Sequence, residues 1–169
     1  PKVKGSNPFG CILPSRNMTM TEDERWMDKA LAAARSAGER RDIPIGAVVV
    51  RDGELIASAG NERTSTTDPS AHAEILALRR ASEQLQRSRL DDCTIYVTVE
   101  PCPMCAGAIV EARISRLVFG AREPRSGAAR SMYQILDDPR RTHTVDVSEG
   151  VRADASATLL QSFFQSRRR

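Results

Sequence analysis

Two short segments carry the side chains best suited to chemistry. Ala71-His72-Ala73-Glu74 contains one of the two histidines of this 169-residue chain, and Glu100-Pro101-Cys102-Pro103-Met104-Cys105 contains two of its four cysteines. Cys102 and Cys105 are three residues apart, so in the first turn of a helix their side chains lie on one face. The positive end of a helix dipole favours the thiolate form that a metal requires. The two segments therefore predict a metal site made of one imidazole and two thiolates.

The number of ligands and the position of Glu74 indicate what such a metal would do. Three protein ligands are typical of a catalytic zinc, whose fourth position is open to water. Glu74 follows His72 by two residues, about 200° round a helix, so the two side chains cannot easily bind one metal from the same face. This separation predicts that Glu74 carries protons beside the zinc-bound water instead of binding the metal.

Two other interpretations of the cysteines are open. Cys-x-x-Cys at a helix start is also typical of a redox pair, although the nearby His-x-Glu favours zinc. A closed structural zinc site needs a fourth ligand, and Cys93 is the nearest candidate in the sequence. A strand of about 20 Å separates Cys93 from Cys102, so we expect Cys93 to be a small buried apolar residue. We expect His143 to be a satisfied core or surface histidine.

Helical and strand patterns alternate along the chain and must position these segments. Thr21–Glu24 is typical of a capping box, and Gly38 is expected to end the helix that follows. Asp52-Gly53 predicts a hairpin turn, and Asp68-Pro69-Ser70 predicts the N-cap of a helix over about 71–87. The other predicted elements are strands over 45–51, 54–58, 94–99, 116–120 and 144–147, and helices over 103–112, 131–136 and 153–166. This order predicts a layered α/β domain with a mixed sheet.

Length and composition fit one globular domain. Hydrophobic residues make up 40% of the chain, no apolar run approaches the roughly 18 to 20 residues of a membrane span, and four cysteines do not make a disulfide scaffold. These features predict a cytoplasmic protein without a membrane partner. We expect residues 1–17 to be a disordered leader or a segment added for expression. A single domain over 18–169 would follow, with Met18 or Met20 as its natural start.

The net charge of +3 is unevenly distributed. Residues 1–17 contribute +3, residues 18–112 carry 11 basic and 16 acidic side chains, and residues 113–169 carry 11 basic and 6 acidic ones. The positive half follows the cysteine pair. Such a half is typical of a protein that binds a polyanion, although charged runs are also common on solvated surfaces.

The residues around the predicted site resemble a known family. His-Ala-Glu followed by Pro-Cys-x-x-Cys resembles the signature of zinc-dependent deaminases of the cytidine/deoxycytidylate deaminase superfamily. Longer segments are similar to bacterial tRNA-specific adenosine deaminases. These segments are Asp68–Ile75, Val99–Ala108, Phe119–Arg122, Gly127–Ala129, Phe163–Phe164 and Arg167–Arg168.

The resemblance implies a fold, a reaction and a set of site residues. The fold would be a three-layer α/β/α sandwich around a mixed five-stranded sheet. The reaction would convert adenosine to inosine at the wobble position of a tRNA anticodon stem-loop, in a homodimer with one zinc ion per subunit. The implied residues are His72, Cys102 and Cys105 as zinc ligands, Glu74 as acid/base, and Asn61, Ala73, Arg122, Glu123 and Phe164 as substrate contacts.

The substrate is the least determined part of this interpretation. Glu123 stands where the family usually has Asp, and Arg125 stands where Lys is common, which leaves the contacts of this loop undecided. A small-molecule deaminase acting on guanine, cytosine or a nucleoside could use the same zinc ligands. A non-catalytic zinc-containing RNA-binding module is the third possibility. The basic segment 113–169 favours the tRNA substrate.

Overall fold

The computed structural model describes residues 19–167. The predictions made for residues 1–17, Met18 and Arg168 lie outside this range. Within it no helix is long and apolar enough to cross a membrane. The elements are α1 (Glu22–Glu39), β1 (Gly46–Arg51), β2 (Glu54–Gly60), α2 (Ala73–Leu85), β3 (Cys93–Val99), α3 (Pro103–Glu111), β4 (Arg116–Ala121), β5 (Asp146–Glu149) and α4 (Ala153–Arg167).

The strands form one mixed sheet in the order β2-β1-β3-β4-β5. β1 pairs antiparallel with β2 and β3, whereas β3, β4 and β5 are parallel. Asp52 and Gly53 both have positive φ angles, of 50° and 74°, as the tight turn of a two-residue hairpin requires. The predicted hairpin and mixed sheet are therefore confirmed.

Helices cover both faces of the sheet, because successive strand residues point in opposite directions. Val48 and Val50 of β1 pack in one cluster with Trp26 of α1, while Ala47 and Val49 belong to the larger cluster with α2 and α3. α1 contacts α4, and α2 contacts α3. The predicted three-layer α/β/α sandwich is confirmed.

The boundaries of α1 and α2 differ from the predictions. α1 begins at the predicted capping box, in which Thr21 and Glu24 exchange hydrogen bonds, but it continues one residue past Gly38. Asp68 is not the N-cap of α2. Its carboxylate accepts hydrogen bonds from the backbone N–H and the hydroxyl of Ser70, and this local turn delays the helix until Ala73, with His72 as the N-cap.

The region between β4 and β5 shows the largest difference from the predictions. The helix predicted over 131–136 is absent, because the backbone N–H groups of Met132 and Tyr133 donate to the carbonyl of Gly127 and that of Ile135 donates to the carbonyl of Ala128, which is not the i to i−4 pattern of an α-helix. The weak strand predicted over 144–147 is β5, displaced by two residues to Asp146–Glu149.

Candidate active site

Two helix N-termini meet at the predicted site. His72 is the N-cap residue of α2 and Cys102 is the N-cap residue of α3, and neither side chain caps its own helix. Glu74 and Cys105 lie in the first turns of these helices, and Pro103 occupies the first turn of α3 as predicted. The positive ends of both helix dipoles therefore point toward the site, where they favour anionic ligands.

The three predicted metal ligands converge. His72 Nδ1 lies 3.7 Å from Cys102 Sγ and 3.4 Å from Cys105 Sγ, and the ligand atoms of all three residues lie within 4.8 Å of one another. Tetrahedral zinc, with bonds of about 2.0 Å to nitrogen and 2.3 Å to sulfur, separates nitrogen from sulfur by about 3.6 Å. The spacing and the soft donor set therefore fit zinc.

The two thiols differ in their proton affinity. Hydrogen bonds from the Cys105 thiol and from His72 lower the pKa of Cys102 to about 4. The same contact with Cys102, together with burial, raises the pKa of Cys105 far above its usual range, because Cys105 keeps the proton that the pair shares. A divalent cation deprotonates a coordinating thiol outright, so a metal at this position would replace that proton.

Glu74 lies beside the triad but outside it. Only 4% of the residue is exposed, and it lines the same cavity as His72 and Cys102. Burial raises the pKa of Glu74 to about 7, against the opposing effect of the His72 ring. A carboxyl group in this setting can hold a proton or release it to a neighbour.

The cavity next to the triad has a volume of about 130 Å³. Sites that enclose whole drug-sized ligands usually measure roughly 300 to 1,000 Å³, so this cavity suits a single flat ring while the rest of the ligand stays outside. Its apolar lining residues are Ile43, Ile45 and Val99, and its polar ones beyond His72 and Cys102 are Asn61, Arg63, Glu74, Glu100, Glu123 and Ser126.

The residues predicted to contact substrate do not all reach this cavity. Asn61 and Glu123 line it, and Ala73 is fully buried beside His72. The Arg122 guanidinium instead forms a bidentate ion pair with the carboxylate of Glu149. Phe164 is not in the lining; it lines a separate cavity together with Arg125.

The second histidine and the third cysteine of the described region lie away from the site. Cys93 is buried at the start of β3, the end of the strand opposite to Cys102. His143 Nε2 lies 2.8 Å from the carbonyl oxygen of Ile114. Neither residue belongs to the cluster that could hold a metal.

Arg63 and Glu100 lie at the site although the sequence patterns assign them no role. Arg63 belongs to the loop between β2 and α2 and lines the cavity. Glu100 directly follows β3 and is 3% exposed. An acidic residue at the end of a buried strand, directly before Pro-Cys, was the available signal for Glu100.

Comparisons with known proteins place the chain in a family. The family described as MafB19-like deaminase matches residues 21–168. The tRNA-specific adenosine deaminase of Agrobacterium fabrum is 46% identical over 149 residues, which are 88% of this chain and 98% of that protein. A solved tRNA:A34 deaminase, studied for A-to-I editing at the wobble position, is 47% identical with a TM-score of 0.78 and covers 80% of this chain and 99% of its own.

A more distant neighbour represents the small-molecule alternative. The guanine deaminase of Nitrosomonas europaea is 26% identical, with a TM-score of 0.73, over 83% of each chain. It shares the fold, but the identity is far below that of the tRNA enzymes. The chain belongs to the tRNA-specific adenosine deaminase family.

Proposed function

We propose that this protein hydrolytically deaminates adenosine to inosine at the wobble position of a tRNA anticodon, with one zinc ion per subunit. The observation that carries the proposal is the convergence of one imidazole and two thiolates beside a buried carboxylate in a ring-sized cavity. His72, Cys102 and Cys105 would hold the zinc. Zinc bound there supplies Lewis acidity, which lowers the pKa of a water molecule to about 7.

Glu74 is assigned the proton transfers. Its carboxylate is buried in the cavity where the ring would lie. It accepts a proton from the attacking water and delivers it to N1 of adenine as the oxygen joins C6. It then passes the proton of the hydroxyl added at C6 to N6, so that the C6–N6 bond breaks and ammonia leaves. A proton carrier that does not bind the metal matches the position of Glu74, which lines the cavity but lies outside the ligand cluster.

The base would be held by the cavity walls. Ile43 and Ile45 provide apolar surface for a flat ring, and the Asn61 side chain, 4% exposed, lines the same space. A buried amide with this placement can read the polar edge of a base. Asn61 is therefore proposed as a base contact, and Ala73 as a neighbour of the base at the start of α2.

Contacts to the RNA backbone are proposed for Arg63 and Arg125. Among residues 19–167, neither has a carboxylate partner within 4.0 Å, and each lines a cavity at or beside the site. Phe164, which is 46% exposed beside Arg125, offers a face for base stacking. Arg122 and Glu123 remain proposed contacts to the sugar or flanking nucleotides. Arg122 would make this contact after its ion pair with Glu149 opens.

The proposed assembly is a cytoplasmic homodimer whose domain spans 18–169. Met104, Met132 and Tyr133 are 41 to 57% exposed, and a subunit interface would cover such apolar side chains. Light scattering should give twice the 18.6 kDa mass of the chain. A monomeric mass at working concentration would contradict the dimer.

Incubation with bulk tRNA tests the function directly. Sequencing of the treated tRNA should show adenosine-to-inosine conversion at the first anticodon position and at no other adenosine. Unchanged tRNA together with rapid release of ammonia from guanine would instead support the small-molecule alternative. Binding of tRNA with no conversion by the zinc-loaded protein would support the non-catalytic RNA-binding module.

A further inference from the structure

Glu100 is a buried carboxylate that interacts with backbone amides and not with a cation. None of the lysines or arginines in residues 19–167 forms an ion pair with it. One of its oxygens accepts hydrogen bonds from the backbone N–H groups of Ala129, Arg130 and Ser131, at 3.1, 2.6 and 2.8 Å. The other accepts the backbone N–H of Glu123 at 3.0 Å and the Ser131 hydroxyl.

These donors come from both ends of one loop. We name residues 122–131, which follow β4, the 122–131 loop. Its first part donates through Glu123 and its last part through residues 129–131, so the carboxylate joins the two ends. Hydrogen bonds to an ionised acceptor are roughly twice as strong as neutral ones, and burial makes the loss of any of them costly.

The same interaction connects the loop to the metal-ligand segment. Glu100 precedes Cys102 by two residues, its own N–H donates to Ala121, and the carbonyl of Pro101 accepts the N–H of Ala128. A Cβ added at Gly127 would clash with the Glu100 carboxylate. The loop therefore packs directly against the residues that precede the metal ligands.

The 122–131 loop also forms part of the cavity wall. Glu123 and Ser126 line the cavity, and the Glu123 carboxylate is held inside the loop by the backbone N–H of Arg125 at 2.9 Å. If the ends of the loop separated from Glu100, this wall would move relative to the metal ligands.

We propose that Glu100 is a positioning residue that holds the 122–131 loop in the form that receives the RNA. The proposal rests on the proposed function for its substrate. The Glu100 side chain lines the cavity, but both of its carboxylate oxygens bind the 122–131 loop and not the metal ligands. Its contribution is to fix the distance between the substrate-binding wall and the metal-ligand segment.

The variant E100Q tests this role with an almost unchanged shape. In E100Q, the NH2 group of the Gln side chain replaces one carboxylate oxygen. This NH2 group can still form a hydrogen bond with the Ser131 hydroxyl, but it cannot accept one from the backbone N–H of Glu123. We expect amide hydrogen exchange at residue 123 to accelerate at least about tenfold, with a smaller increase at 129–131. We also expect unchanged zinc content and a KM for an anticodon stem-loop that rises more than kcat falls.

The matched control is D42N. Asp42 is likewise fully buried and accepts backbone N–H groups, those of Thr64 and Ser65, in a different loop. D42N should accelerate amide hydrogen exchange at residues 64 and 65 and leave the exchange at residues 123 and 129–131 unchanged. If E100Q does not fold, S131A removes only the hydroxyl from the same carboxylate and should give a smaller exchange increase at 123 and 129–131.

Two results would overturn the proposal. One is unchanged exchange across the 122–131 loop in folded E100Q or S131A. The other is loss of zinc from E100Q with kcat reduced and KM constant, which would show that Glu100 positions the metal ligands and not the loop. If the wild-type protein makes no inosine, the proposed function fails, while the exchange data still decide whether Glu100 holds the loop.

Discussion

His72 and Glu74, two residues apart at the start of α2, take different parts in the proposed reaction. His72 points its Nδ1 toward two cysteine sulfurs, whereas Glu74 stays buried in the cavity without belonging to the metal-binding cluster. His72 is the N-cap residue with an extended backbone (φ −72°, ψ 150°), whereas Glu74 lies in the first turn of α2, so the two side chains leave the chain from different backbone conformations. One short segment can therefore supply both a ligand and a proton carrier.

The variant E74Q separates these two tasks. It keeps the size of the side chain and the three ligands, so zinc content should stay at one per chain. Deamination should fall by about 10²-fold or more, the usual contribution of a positioned acid/base. Metal analysis and inosine formation measure the two quantities. The control E83Q changes an exposed Glu of the same helix and should behave as wild type; an active E74Q would refute the role of Glu74.

Some of the site residues could be predicted from the sequence by local geometry, and others could not. The spacing of Cys102 and Cys105 follows from helix geometry, so their common direction was predictable, while the meeting of their segment with His72 depended on the resemblance to a family. The ion pair of Arg122 with Glu149 joins the first residue of the 122–131 loop to the end of β5, which is 27 residues later in the chain. No local pattern indicates such a pairing.

At the scale of the elements, a polar contact ties α1 to the sheet. Asp23 of α1 accepts two hydrogen bonds of 2.8 Å from Arg116 at the start of β4 and one of 2.9 Å from the Tyr96 hydroxyl in β3. Arg116 lies at the end of β4 opposite to the 122–131 loop. This cluster stabilises the layering without taking part in the site.

The variant D23N should lower the free energy of unfolding by about 1.5 to 3 kcal/mol at pH 7, the range for hydrogen bonds to charged groups. The Arg116 guanidinium lowers the pKa of Asp23 below 3.8 in the folded protein. The stabilisation that the ionised Asp23 carboxylate contributes is therefore present above pH 3.8 and disappears as the pH falls through the folded pKa. Urea unfolding at pH 7 and at pH 2 to 3 should show the difference between wild type and D23N shrinking in acid; a constant difference would contradict this assignment.

Most elements were predictable because apolar periodicity and caps are local signals. The capping box at Thr21 and the Asp52-Gly53 turn are of this kind. The predicted helix over 131–136 was wrong: Glu100, about thirty residues earlier in the chain, fixes residues 129–131, and the N–H groups of the residues that follow donate to the carbonyls of Gly127 and Ala128 in turns and not in a helix. A long-range acceptor overrode the local preference, and one sequence contains no sign of that pairing.

At the scale of the whole molecule, ion pairs connect the acidic and basic halves of the chain. Arg116, Arg141 and Arg152 of the basic half pair with Asp23, Glu111 and Asp28 of the acidic half. These three arginines of the basic half are thus paired with acidic side chains and are less available to a polyanion. Within residues 19–167, Arg63 and Arg125 near the site lack such partners, so they are better candidates for phosphate contacts than the charge of the segment as a whole.

The variants R63A and R125A should weaken tRNA binding and reduce its salt dependence. Each lost single-stranded phosphate contact should lower the slope of log K against log salt by about 0.7. Filter binding or fluorescence anisotropy at several salt concentrations measures this slope. The control R140A removes an arginine that is paired with Asp138 in the turn before β5 and should leave the slope unchanged. Equal slopes for all three variants and wild type would exclude both phosphate contacts.

The most direct test of the central claim compares kcat/KM of the zinc-loaded protein for an anticodon stem-loop with kcat/KM for free adenosine and guanine. Binding energy from the RNA outside the cavity should raise kcat/KM for the stem-loop at least about 10²-fold above either small molecule, with inosine forming at the wobble position. A guanine or adenosine value equal to or above that of the stem-loop would contradict the account.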